Sequence, residues 1–254
     1  MFAILKNPRF DFLRKNADFI LDLIFPIECA GCGKKNVWLC GECFSRLKLQ
    51  NVPHCFNCKT ATSFSKTCTK CKKHHFLDGV WAAGKYSDKT LKKLIKTMKY
   101  SLVLAVAPIL ANYLSCYFKE LLSDFNNKDK KIRTLENLKN AIVVPIPLHD
   151  KRLRWRGFNQ SLEIAKTFTA NLDLELDSLN LIKTKHTKPQ AKLKTGKRKE
   201  NLRNSFVWKG QNLAKKNIIL IDDVSTSGST LDECAKILKE NGADEVWGLV
   251  VAQG

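Results

Sequence analysis

An α/β domain built on a parallel sheet with helices on both faces, preceded by a small cysteine-ordered domain, is what this sequence predicts. Three observations carry that expectation. Apolar runs of strand length, "GVWAAGKY" (79–86), "AIVVPIP" (141–147), "NIILIDDV" (217–224) and "EVWGLVVA" (245–252), are separated by segments of helical periodicity. The run at 141–147 is apolar throughout, as a strand buried on both faces is. Eight of the ten cysteines fall into four Cys-x-x-Cys pairs ahead of the first strand.

Residues 1–27 read as an amphipathic leader. Their longest apolar run, "FILDLIFPI", is broken by Asp22 and Pro26, lacks a signal peptide's apolar core, and falls short of the ~20 residues a bilayer requires. The chain is therefore expected to be cytoplasmic and not transmembrane. Lysine and arginine outnumber aspartate and glutamate 44 to 24, a net charge of +20 that favours phosphate-bearing partners.

The next domain, expected over 28–76, holds Cys29/Cys32, Cys40/Cys43, Cys55/Cys58 and Cys68/Cys71. Two cysteines two residues apart sit on a tight knuckle that aims both thiolates at one ion, and two knuckles complete a tetrahedral four-sulfur shell. Eight thiolates imply two structural zinc ions. Sequential pairing, Cys29, Cys32, Cys40 and Cys43 on one ion and Cys55, Cys58, Cys68 and Cys71 on the other, closes shorter loops than a crossed arrangement. His54, His74 and His75 read as surface residues, and Cys116 and Cys234 as ordinary buried thiols.

The α/β domain is expected over 77–254. After the first strand, residues 90–100 place Leu91, Leu94, Ile95 and Met98 on one helical face and Lys92, Lys93, Lys96 and Lys99 on the other. A longer helix spans roughly 106–123, with Pro108 in its first turn. A polar stretch, "NNKDKKIRTLENLKN", reads as a surface connection. The strand at 141–147 runs into a basic loop, "LHDKRLRWRGFNQS", and then a helix with Leu162, Ala165, Phe168 and Leu172 inward. The strand at 217–224 is followed by a helix with Leu231, Cys234, Ala235 and Leu238 inward, stopped at Gly242.

Chemistry concentrates at "IILIDDVSTSGST" (218–230). Ligands of parallel α/β sheets bind at the carboxyl ends of strands, where Asp222 and Asp223 emerge. The turn that follows enters a helix whose amides, with Thr226, Ser227, Ser229 and Thr230 hydroxyls, suit a phosphate, while Gly228 allows close approach. Paired carboxylates beside it suit a neutral polyol. A phosphate beside a diol describes a ribose phosphate.

That stretch is similar to the signature of type I phosphoribosyltransferases, with Ser227 where many members have a second threonine. Together with the cysteine pairs, "MKY", "PIPLHDKRLRWRGFNQS" and "KPQAKLKTGKRKENLRNSF", it resembles the ComF family of competence proteins across essentially the whole chain. The resemblance implies a phosphoribosyltransferase-like fold behind a double zinc ribbon, and a role with single-stranded DNA in natural transformation, with DNA-uptake machinery at the inner face of the membrane as partner. Carried over, Asp222 and Asp223 hold ribose hydroxyls, Ser225, Thr226, Ser227, Gly228, Ser229 and Thr230 the 5-phosphate of phosphoribosyl pyrophosphate, and the loop Leu148–Arg152, with Lys151 and Arg152, its pyrophosphate, bridged by Mg2+. Single-stranded DNA is assigned to Lys92, Lys96, Lys99, Arg154 and Arg156, with Trp155 or Phe158 as stacking platforms. Residues 183–204 carry nine basic side chains against Glu200, among them Lys194, Lys197 and Arg198. Such a segment serves equally to close over a transferase site or to track a phosphate backbone. Two further readings stand beside the DNA-uptake one: an active transferase acting on a nucleobase or other amine, and a zinc-knuckle adaptor with a vestigial second domain.

Overall fold

The computed structural model describes residues 27–50, 52–128, 140–187 and 204–254, together with Leu138 and Leu202. The leader up to Pro26 lies outside the described residues, as do Lys194, Lys197 and Arg198. The chain divides into two compact units, Met1–Arg46 and Leu47–Gly254, a division that falls between the two cysteine clusters. Among the described residues no helix is long and apolar enough to cross a membrane.

In the first unit the Cys29–Cys32 knuckle is closed by Gly33 N donating to Cys29 O at 3.0 Å, and Cys40 leads into the short helix α1 (Gly41–Ser45). In the second, Cys55–Cys58 turns back through Lys59 N donating to Cys55 O at 3.0 Å, and Cys68 leads into α2 (Thr69–Lys72).

The larger unit is organised by a five-stranded, wholly parallel sheet of β1 (Gly79–Lys85), β2 (Ile142–Pro145), β3 (Glu175–Leu176), β6 (Ile218–Ser225) and β7 (Val246–Gln253), in the order β1-β7-β6-β2-β3. Side chains alternate between two apolar layers, which is why the strands read as continuous apolar runs. On one face, α3 (Lys89–Tyr100), capped by Asp88 accepting from Leu91 N at 2.8 Å, precedes α4 (Ala107–Lys128), which packs over β1 and β7 and against α6 (Gln160–Leu172). Trp81 and Trp247 stack there with centroids 4.2 Å apart, and Phe118 and Phe168 extend the layer. On the other face lies α7 (Ser229–Glu240), whose Leu231, Cys234, Ala235 and Leu238 join Val80, Ile142, Val144, Ile218, Leu220 and Val250 in one cluster.

Three sequence expectations change. The basic loop after β2 contains a helix, α5 (Asp150–Arg156), started by His149 and stopped by Gly157 in the left-handed conformation at φ 81°. Its short charged sequence carries no apolar stripe to announce it. An antiparallel ribbon, β4 (Leu181–Lys183) with β5 (Phe206–Trp208), brackets the basic segment. Cys116 is exposed, on the side of α4 away from Leu114 and Phe118, whereas Cys234 is buried as expected.

Candidate ligand site and metal centres

Asp222 and Asp223 stand at the carboxyl end of β6, next to that of β2. Asn159 joins the two ends. Its carboxamide accepts from Ser161 N at 3.1 Å to start α6 and donates to Ile146 O at 3.0 Å just beyond β2. This fixes the first turn of α6 so that Ser161 Oγ donates to Asp222 Oδ1 at 2.8 Å, where Asp223 N also donates at 2.9 Å. Asp223 is buried and accepts from Val224 N at 2.8 Å. Lys99 Nζ lies 2.5 Å from Asp223 Oδ2, an ion pair by distance without hydrogen-bond alignment.

The electrostatics follow from crowding two acids in a half-dry site. Burial, reinforced by Asp223, pushes the Asp222 carboxyl up to about 7, against the opposing pull of Lys99 and the Ser161 hydrogen bond. Burial alone would pull Lys99 down, but Asp223 and Asp222 outweigh it and hold its ammonium above the ordinary value. Arg156 is buried, donates to Gln160 Oε1 at 2.5 Å, and is drawn down by burial while Asp223 opposes. Lys183 on β4 is lowered by burial and by the cation of Arg152, which brings the ribbon and α5 into one field with Asp222.

Beyond Asp223, Ser225 is buried and the chain turns through Gly228 at φ 72°, the residue that caps α7. Glycine adopts this left-handed conformation without strain and supplies no side chain to occupy the first-turn amides. Ser227 Oγ and Ser229 Oγ lie 2.8 Å apart across the turn. A helix start lined by hydroxyls can hold an anion, and the acids one strand-end away can hold hydroxyls. Lys151 is exposed and Arg152 half-buried in the first turn of α5.

Each cysteine cluster gathers the four sulfurs that sequential pairing predicts, Cys29, Cys32, Cys40 and Cys43 in one and Cys55, Cys58, Cys68 and Cys71 in the other, within 4.8 Å of one another. Neighbouring sulfurs lie 3.7 Å apart for Cys29–Cys40 and Cys32–Cys40, and 3.6 Å for Cys58–Cys68. A tetrahedron with Zn–S bonds of about 2.3 Å has its sulfurs about 3.8 Å apart, so both sites fit structural zinc. Thr60, through its hydroxyl and its amide, draws the Cys58 thiol down to about 6, while sharing a site with Cys40 and burial push Cys43 up to about 12. Four thiols so placed lose their protons together only when a cation replaces them.

A double zinc ribbon family model matches residues 20–73, spanning both clusters. The chain is 32% identical to competence protein F of Haemophilus influenzae over 232 residues, covering 88% of this chain and 90% of that protein. It belongs to the ComF family. Competence protein ComFC of Streptococcus pneumoniae is 24% identical over 214 residues, 82% of this chain and 84% of its own length. The DNA utilization protein YhgH of Escherichia coli matches at 36% over 109 residues, 42% of this chain and 48% of that protein.

In this ComF-family chain, the residues expected at one site are distributed differently. Lys92 Nζ sits 5.6 Å from the Tyr86 ring centroid and Lys96 is exposed, as a surface face requires. Lys99, expected beside them for nucleic acid, is turned inward to Asp223, and Arg156 is buried rather than presented to solvent. Arg154 and Trp155 are exposed and Phe158 is half-buried. Sequence reasoning missed Ser161 and, within the 183–204 segment, did not single out Lys183 or His186, whose ring lies 5.2 Å from that of His149. Of these, the "NQS" after the basic stretch was the one local signal, since an asparagine cap places a serine in the first turn. His75, expected at the surface, is half-buried against Asp232 of α7, with Nδ1 2.7 Å from Oδ2.

Proposed function

We propose that this protein binds phosphoribosyl pyrophosphate at the carboxyl ends of β2 and β6 and handles single-stranded DNA during DNA uptake. The observation that carries the reading is the juxtaposition of the Asp222–Asp223 pair with the Gly228 turn. The turn Ser225–Thr230 receives the 5-phosphate at the start of α7, the two acids receive the ribose hydroxyls, and Lys151 and Arg152 face the pyrophosphate. Beside Lys151 and Arg152, magnesium carried in with the ligand would supply further neutralisation of the pyrophosphate charge. Lys99, paired with Asp223, holds that side chain oriented for its part.

The names of the relatives, a competence protein and a DNA utilization protein, support a role in DNA uptake. The surface supports single strands as the form handled. Trp155 is 63% exposed and Tyr100 65%, and Arg154, Lys92 and Lys96 are available for backbone charge. DNA-uptake machinery at the inner face of the membrane is the protein partner this role entails.

One observation favours the transferase reading as an alternative. The β4–β5 ribbon brackets the basic segment and sets Lys183 and His186 in the field of Arg152, where leaving-group charge develops if pyrophosphate departs. The adaptor reading has no use for paired acids at a strand end.

Calorimetric titration of the full-length, zinc-loaded protein with phosphoribosyl pyrophosphate and magnesium, with and without a short single-stranded oligonucleotide, tests the proposal. Saturable binding near one equivalent, lost in Asp223→Asn and altered by the oligonucleotide, is expected. A folded, zinc-loaded protein that ignores the compound overturns it, and pyrophosphate release on adding an amine acceptor moves the assignment to the transferase.

A further inference from the structure

The second cysteine cluster and the turn Ser225–Thr230 are in direct contact within the larger unit. Phe56, between Cys55 and Cys58, is 2% exposed. Its ring lies so close to Gly228 that a Cβ added there would be 2.5 Å from Phe56 Cδ2. Its other flank meets the ring of His75 edge-on, centroids 5.1 Å apart. His75 pairs with Asp232 Oδ2 at 2.7 Å, and Phe76 N and Leu77 N donate to Asp232 Oδ1 at 2.8 and 3.1 Å. Asp232, buried in the first turn of α7, is thus held from the segment that follows Cys71. On the other side of the cluster, His54 Nε2 lies 3.0 Å from Gln253 Oε1, and the next residue, Gly254, donates its N–H to Ser225 O at 3.0 Å.

The cluster therefore grips the turn at its entry, its glycine and the first helical turn beyond it. A turn through glycine in the left-handed conformation has more freedom to lose on ordering than any other, so its anion-binding shape depends on what is packed against it. Phe56 is that packing, and its own position is set by the Cys55 and Cys58 ligands on either side.

We propose that Phe56 is a positioning residue through which zinc at Cys55, Cys58, Cys68 and Cys71 and anion binding at Ser225–Thr230 form one linked equilibrium. The inference rests on the reading that this turn binds phosphoribosyl pyrophosphate. Linkage is reciprocal: whatever factor the metal contributes to ligand affinity, the ligand returns to metal affinity.

The test uses the full-length, zinc-loaded chain, with phosphoribosyl pyrophosphate and magnesium as probe. Zinc transfer to a chromogenic chelator is followed with and without the probe, beside calorimetric affinity. In the wild type the probe should slow release of one of the two zinc equivalents about tenfold, and leave the other unchanged. Phe56→Ala should keep both equivalents, bind the probe about tenfold more weakly because fewer molecules hold the competent turn, and release zinc at a rate indifferent to the probe. Phe56→Leu should restore most of both effects. A general loss of packing would lower the melting temperature without erasing the protection of one particular zinc. Probe binding by the wild type with unaltered zinc release overturns the linkage, as does a Phe56→Ala protein with wild-type affinity and protection. If Phe56→Ala does not fold, the wild-type release rates alone decide. Failure of the wild type to bind the probe removes the pocket assignment and the linkage with it, an outcome distinct from binding without protection.

Discussion

Replacing Asp222 by asparagine should make the ligand-free protein more stable at pH 8 while removing its ligand affinity. The carboxyl is raised by burial and by Asp223 from its ordinary 3.8 to about 7. A carboxyl raised in the folded state favours folding only while protonated. Above about pH 4 the unfolded chain gives up its proton first, so stability falls with rising pH until the folded group ionises near 7, and stays lowered above that. The full rise corresponds to about 4 kcal/mol at ~1.4 kcal/mol per tenfold, and partial solvent exposure of Asp222 reduces this to about 2–3 kcal/mol. Asparagine removes the ionisation and keeps Oδ1 as acceptor for Ser161 Oγ and Asp223 N. At roughly 2–4 °C per kcal/mol for a unit of this size, the variant should melt about 5–10 °C above the wild type at pH 8, and by about half that margin at pH 5.5. Thermal melts of both zinc-loaded proteins across that range measure the difference, in which the shared pH dependence of the thiolates cancels. A margin that does not change with pH, or a variant that melts lower at pH 8, refutes the electrostatic account. The same ionisation sets wild-type binding: affinity for phosphoribosyl pyrophosphate should weaken about tenfold for each pH unit below 7.

Metal analysis of the full chain should return two zinc equivalents, falling to one in Cys58→Ser, with the loss read by atomic emission; two equivalents in the variant would place the second ion elsewhere. Lys92→Gln with Lys96→Gln should leave stability unchanged and reduce the slope of log affinity against log salt for single-stranded DNA by about 0.7 for each phosphate no longer neutralised. Lys99→Gln should behave differently, destabilising the fold by about 3 kcal/mol because Asp223 is left buried without its cation, as denaturant titration would show.

The parallel sheet was legible because its signal is local: strands buried on both faces must be apolar without interruption, and Ile218–Ile221 are so. Cysteine pairing was legible because joining sequential knuckles closes shorter loops than crossing them. Helix faces were read well where burial is strongly one-sided, as at Leu91, Leu94, Ile95 and Met98. What the sequence hid depends on approach between distant segments. Lys99 follows Met98 at the end of α3 and has the spacing of a surface lysine, yet its side chain reaches an acid 124 positions further along the chain. Phe56 reads as an ordinary knuckle residue until Gly228 is placed against it. The strands β4 and β5 are three residues each, too short for periodicity to register.

The position of β7 between β1 and β6 has a consequence for how the chain is made. Among the described strands of the sheet β1 pairs with β7, which leaves the ribosome roughly 160 residues later, an interval of about 10–30 s at ordinary rates of synthesis. Throughout that interval Val80, Trp81 and Ala82 lack the β7 residues they pair with, and nascent chains are exposed to mispairing or to capture by chaperones. The sheet closes only as β7 slides into the gap, so the shape of the acid pair and its neighbouring turn waits on a strand made long after β1.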